Sequence, residues 1–167
     1  MKNTFALFFI LSILFQSCIS GHISSRRLDP DAFPPEFNNP NHVLLIQKRT
    51  TGINHKGMNK YLNKYFRKHY SGKYEMASKE EILNSPKYQD RKIYRFVLSD
   101  DVWTSRSTIT KMTSTGADIQ YNNVYRIGYH LFDLLEDKNY PEMGVSSNVP
   151  AKAMKRAAMV LNKRLHM

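Results

Sequence analysis

The 167-residue chain is short of several things that small domains commonly use. It has one cysteine, Cys18, so no intrachain disulfide can form and the fold must hold by burial and hydrogen bonding. Its seven glycines are scattered, and neither a Gly-rich phosphate loop nor a Gly-x-Ser-x-Gly elbow occurs. Its histidines, His22, His42, His55, His69, His130 and His166, lie far apart and lack metal-ligand spacing. No apolar run reaches the ~20 residues that a bilayer-spanning helix needs. There is no internal repeat and no low-complexity tract. These absences leave no cofactor or metal to expect, and they argue against an enzyme.

The chain opens with MKNTFALFFILSILFQSC. Lys2 precedes an almost unbroken apolar run over residues 5–15, which ends near the small residue Ser17. A charged start, a short apolar middle and a small residue predict a secretory signal peptide over residues 1–17. Behind such a leader a lone thiol invites intermolecular pairing, unless it is acylated or removed.

The stretch Phe15-Gln16-Ser17-Cys18 resembles the lipobox of bacterial lipoproteins, in which a small residue precedes a cysteine that is acylated and becomes the new N-terminus. Phe15 stands where that family usually has Leu, and Gln16 is larger and more polar than the usual occupant. The resemblance covers the leader alone. It implies a lipidated Cys18 and a periplasm-facing place on the outer membrane. Several acyl chains, at ~0.8 kcal/mol per buried methylene, would anchor the chain stably. Cleavage after Ser20 or Gly21 is the alternative; it discards Cys18 and leaves a soluble secreted or periplasmic protein.

Lys+Arg 25 against Asp+Glu 14 gives 25 − 14 = +11 with histidine neutral. That excess suits anionic partners: lipid head groups, anionic glycans, nucleic acid or an acidic protein face. A hydrophobic content of 41% with 12% aromatic residues is too rich for a disordered chain, so a packed core is expected.

Residues 18–41 are rich in proline and polar residues and read as an extended, partly stiff tether, with Phe33 and Phe37 candidates to tuck against the domain. A single domain is expected over residues 42–167. Val43, Leu44, Leu45 and Ile46 form a short apolar run suited to a strand buried on both faces. Met58, Tyr61, Leu62, Tyr65, Phe66 and His69 recur at helical spacing. A strand over 73–77 follows. Ser78 and Glu81 have the capping-box form of a short helix that stops before Pro86. Residues 92–99 read as a strand, Asp100-Asp101 as a connection carrying Trp103, and 106–113 as a further strand.

Gly116-Ala117-Asp118 reads as a turn. Over 121–134 a long strand should turn Tyr125, Ile127, Tyr129 and Leu131 toward the core, with Val124, Arg126, Gly128 and His130 opposite. After a polar turn at 136–139 and a return segment reaching Val145, a last helix follows. Ser147 or Asn148 caps it, Pro150 lies in its first turn, and Met154, Ala157, Ala158, Leu161 and Leu165 form its buried stripe. The order β-α-β-(α)-β-β-β-α predicts an α+β fold, a mostly antiparallel sheet with both main helices on one face.

For acid–base chemistry the candidates are Asp100, Asp101, Asp133, Glu136 and Asp137. His130 and Asp133 are three apart and face opposite ways in a strand, so they form no dyad there. His55 and Lys56, before the first helix, could touch an anion, though a solvated loop is the simpler reading. The strongest surface feature is the basic helix faces, with Lys60, Lys64, Arg67, Lys68, Lys152, Lys155 and Arg156 as candidate contacts to an anionic partner. Tyr61, Tyr65, Tyr70 and Tyr74 lie among them, but Tyr61 and Tyr65 fall on the apolar arc and export removes the chain from cytosolic nucleic acid. Nucleic acid is therefore disfavoured.

Taken together, the residues predict an exported, lipid-anchored envelope lipoprotein whose domain is a non-catalytic binding or assembly module. One alternative is a soluble secreted or periplasmic protein that binds an anionic ligand through the basic faces. Another is a hydrolase whose site assembles only in the fold, for which Asp101, His130 and Asp133 would have to converge.

Overall fold

A computed structural model describes residues 30–52, 54–114 and 116–167, without the side chains of residues 30, 105, 107, 113 and 118. The leader, Cys18 and His22 lie outside the described residues. The fold is α+β, as the element order predicts. A five-stranded sheet runs in the order β2-β1-β3-β4-β5: β1 Leu44–Lys48, β2 Tyr74–Ser78, β3 Phe96–Thr113, β4 Gly116–Asp133 and β5 Lys138–Asn139. Its three helices are α1 His55–His69, α2 Lys79–Asn84 and α3 Pro150–Leu165.

β1 is parallel to both of its neighbours, while the β3–β4 and β4–β5 pairs are antiparallel. The parallel β1–β2 pair requires a crossover, and α1 supplies it. The apolar run of β1 is buried on both faces. Leu44 and Ile46 enter one core, with Leu62 and Phe66 of α1 and Ala157 and Leu161 of α3. Leu45 enters a second core with Ala77, Ile82, Tyr88, Tyr94 and Val97. Both main helices cover the first face. The second is covered by α2 and the 3-10 turn Pro86–Gln89, through Ile82 and Tyr88.

Ser78 and Glu81 form the expected capping box, with Glu81 N donating to Ser78 Oγ at 3.1 Å and Ser78 N donating to Glu81 Oε2 at 2.6 Å. Pro150 opens α3, but Val149 rather than Ser147 or Asn148 is its N-cap residue. The Ser147 backbone is engaged elsewhere, exchanging hydrogen bonds of 3.0 Å with Ile127. On α1, Leu62 and Phe66 are buried as expected, whereas Tyr61 is half exposed and so is not explained by core packing.

Several expectations are overturned: Gly116-Ala117-Asp118, read as a turn, opens β4, and Tyr125, read as facing the core, is exposed. Ala32, Phe33, Pro34 and Phe37, placed in a tether by their proline-rich setting, are buried, and the Phe37 ring lies 5.8 Å from that of Phe96. The packed body therefore begins at Ala32, ten residues before His42. Nor does the chain break into a connection at Asp100-Asp101, because β3 runs unbroken through both. Asp100 is ion-paired with Arg49, and Asp101 Oδ2 lies 2.9 Å from His130 Nδ1. Those partners offset the poor fit of adjacent carboxylates to a strand, so pairing with β4 continues outward.

Candidate docking surfaces

Continuous pairing makes β3 and β4 a hairpin of eighteen residues on each side, with Thr113 opposite Gly116 as its outermost pair. Gly116 has φ +133°, a backbone conformation that favours glycine. The base of the hairpin is built into the domain, with Leu98, Leu131, Tyr129 and Ile127 buried. Just above it, Trp103 lies across Gly128. A Cβ on Gly128 would fall 2.7 Å from Trp103 Cη2, so the glycine gives the indole a flat seat.

Beyond that seat the hairpin leaves the body. Over residues 104–113 and 116–125, every described side chain is exposed except the half-buried Val124. Ten rungs of paired backbone thus stand clear, roughly 30 Å at about 3.3 Å per residue. The two faces differ. Directly opposed residues share a face, so the face continuous with the helix-covered core carries Val102, Thr104, Arg106, Thr108, Thr110 and Met112 from β3. From β4 it carries Ile119, Tyr121, Asn123 and Tyr125. Tyr121 and Tyr125 are 64% and 67% exposed, and Met112 is 82% exposed. The opposite face presents mainly Lys111, Gln120, Asn122 and Arg126, with Ile109.

A second surface is the outer side of α1 and α3, which pack side by side. Lys60, Lys64, Arg67 and Lys68 are exposed on α1; on α3 Lys152 and Lys155 are exposed and Arg156 is half-buried. The fold brings part of this set together. The His69 imidazole is pushed below its usual pKa, first by burial and then by the charges of Lys155 and Lys68, so α3 and the end of α1 share one positive field. Next to it, Asn162 Oδ1 accepts from Ser71 N at 2.7 Å and from Ser71 Oγ at 2.8 Å, pinning the loop after α1 to α3. An open cleft of about 540 Å³ between them is lined by Arg67, Lys68, His69 and Asn162 among others.

The acid–base candidates fall into two separate groups, Asp101 with His130 and Asp133 with Glu136. His130 and the exposed Asp101 meet on the face opposite the main helices. Asp133 is fully buried and accepts from Arg95 Nε at 2.9 Å, within a cluster that also ties Arg95 to Glu36 and Glu136. His55 Nδ1 lies 3.1 Å from the Gly52 carbonyl, at the start of α1. His42 stacks edge-on against Phe96 at 5.1 Å. Among the described residues, no group of three His, Cys, Asp or Glu side chains could hold a metal ion, and no helix is long and apolar enough to cross a membrane.

Sequence reasoning placed strands at 92–99, 106–113 and 121–134, but it broke β3 at Asp100-Asp101 and missed the arm that β3 and β4 build. A usable signal lay in the run Thr104 to Tyr125, where strand-forming Thr, Tyr and Ile alternate with polar residues but no buried-type apolar run appears. Comparison of the chain with family models, with curated proteins and with solved structures found no match.

Proposed function

We propose that the chain is an exported, lipid-anchored envelope module that acts by binding or assembly rather than by catalysis, with the β3–β4 arm as its docking element. The arm is the observation that carries this reading. Isolated two-stranded ribbons are marginally stable in water, and sheets gain independent stability from a third strand or a packed face. An arm of ten exposed rungs with tyrosine, isoleucine and methionine on one side is therefore suited to be covered by a partner. The leader and Cys18 supply the proposed address, and the basic helix faces suit an anionic envelope surface.

The anchor is tested by intact mass and membrane fractionation of wild type beside Cys18→Ala. A wild-type chain beginning at Cys18 with added acyl mass, and a variant that loses both mass and membrane association, are expected. A chain beginning near His22 and soluble in both forms would show the lipid anchor to be wrong. The arm is tested by replacing residues 104–125 with Asn-Gly, a dipeptide that closes a two-residue hairpin. The body should keep its cooperative unfolding, and cross-linked envelope complexes should disappear.

The shared field at His69 favours a second reading, in which α1 and α3 bind an anionic ligand on a soluble protein. Co-sedimentation with phosphatidylglycerol vesicles, but not with phosphatidylcholine, and its loss in Lys64→Glu/Lys68→Glu/Lys155→Glu, would support it.

A further inference from the structure

Resting on the reading of the arm as a docking element, we infer that its partner is a second copy of this chain, packed against the Tyr121–Tyr125 face. The two arms would lie antiparallel about a two-fold axis, with the bodies at opposite ends.

Charge favours this occupant. Between residues 101 and 128 the chain has Arg106, Lys111 and Arg126 against Asp101 and Asp118, 3 − 2 = +1, out of a total of +11. The arm is thus nearly neutral in a strongly cationic chain. Two antiparallel arms would hold the charged bodies about 30 Å apart, well beyond the ~8 Å Debye length at physiological ionic strength. The face itself offers little to an anionic partner. Its one described cation beyond Asp100 is Arg106, which lies over the Tyr121 ring at 5.6 Å and presents a flat plate that can be stacked upon.

A bilayer is a poor occupant. The opposite face carries Lys111, Asn122 and Arg126, and the outer edge of β3 pairs with β1 only at Val97 and Leu98. Open sheet edges and charged faces are costly in hydrocarbon.

The area also suits a second copy. A ribbon roughly 30 Å long and two strands wide would bury on the order of 1,000 Å² over both copies, the lower limit for a specific interface. An isologous contact needs one self-complementary patch. Here apolar Val102 and Tyr125 at the inner end of one arm would meet Met112 and Ile119 at the outer end of the other.

The test uses the processed full chain carrying Cys18→Ala, so that no acyl chain drives association. Sedimentation velocity should show a concentration-dependent monomer–dimer equilibrium. Tyr125→Lys should weaken it by about tenfold or more, as expected for loss of an aromatic anchor. Its denaturant midpoint should stay close to that of the parent, because this side chain is outside the core. In the same background, Val102→Cys and Met112→Cys chains mixed together should form a mixed disulfide faster than either forms its own.

Thr108→Cys with a bismaleimide in intact cells separates the failures. An adduct of twice the chain mass supports the second copy. Monomer at every concentration, with an adduct to a different protein, overturns the second copy and leaves the arm as a docking element. Monomer with no adduct overturns both.

Discussion

Arg95 and Asp133, thirty-eight residues apart in the chain, form a buried ion pair, with Nε 2.9 Å from Oδ2 and 3.1 Å from Oδ1. Asp133 Oδ1 also accepts the Leu135 and Glu136 amides at 2.8 and 3.2 Å, so its carboxylate closes the turn after β4. Asp133→Ala should cost about 3 kcal/mol in urea unfolding, because it leaves a buried guanidinium short of its main partner. Glu136→Gln, at a carboxylate 52% exposed, should cost less than about 1 kcal/mol. Equal losses in the two variants would show that burial does not set the strength of this cluster.

Phe37 joins the proline-rich segment to the sheet through Phe96, and Arg95 joins it again through Glu36. Phe37→Ala should destabilise the domain by about 3 kcal/mol, the usual loss for a buried aromatic ring. A chain starting at residue 42 should unfold at clearly lower urea than one starting at residue 30. If the two starts unfold alike, the segment contributes nothing to the core.

Trp103 is the one tryptophan in the chain, so its fluorescence reports the base of the arm. Gly128→Ala would bring a methyl group within 2.8 Å of two ring carbons of Trp103 and should lift the indole from its seat. A red-shifted emission maximum with little loss of global stability is expected. An unchanged spectrum would mean that the seat is not used in solution.

The Tyr70 phenol, buried among Phe66 and Tyr74, is pushed up from 10.0 to about 12 by burial. Its neutral form is the one that the fold favours. The stability it contributes is complete below pH 10 and is lost as pH rises toward 12, on the order of 2–3 kcal/mol in all. Tyr70→Phe should therefore move the alkaline unfolding midpoint upward. A lower or unchanged midpoint would exclude this linkage.

Glu75 is linked in the opposite sense. Its carboxyl is held below its usual range, chiefly by the hydrogen bond from Lys87 and then by those from the Tyr94 and Tyr88 hydroxyls. The stability it adds is present above its ordinary value of 4.5 and disappears as pH falls through the lowered one. Wild type should be more stable than Glu75→Gln near neutral pH and indistinguishable from it in strong acid. A difference that persists in acid would assign the effect to packing.

What the sequence determined by itself was local. The apolar run Leu44-Leu45-Ile46 specified a strand buried on both faces, because each face then receives a large side chain. Ser78 and Glu81 specified the start of α2, because both halves of a capping box lie within one turn. The stripe Met154, Ala157, Ala158 and Leu161 specified the inner side of α3, where helical period and burial coincide. The clustering of lysine and arginine on the outer sides of α1 and α3 was legible for the same reason.

Only the tertiary structure decided the rest. Whether Asp100-Asp101 ends a strand depends on Arg49, fifty-one residues from Asp100, and on His130 across the hairpin. Whether a proline-rich segment is tether or core depends on a groove beside Phe96 that its own composition cannot describe. Alternation from Thr104 to Tyr125 specifies strands, but a strand pattern does not say whether a third layer covers its face. Burial is set by the path of the whole chain, and here α1 and α3 stop at the base of the hairpin and leave the arm to other contacts.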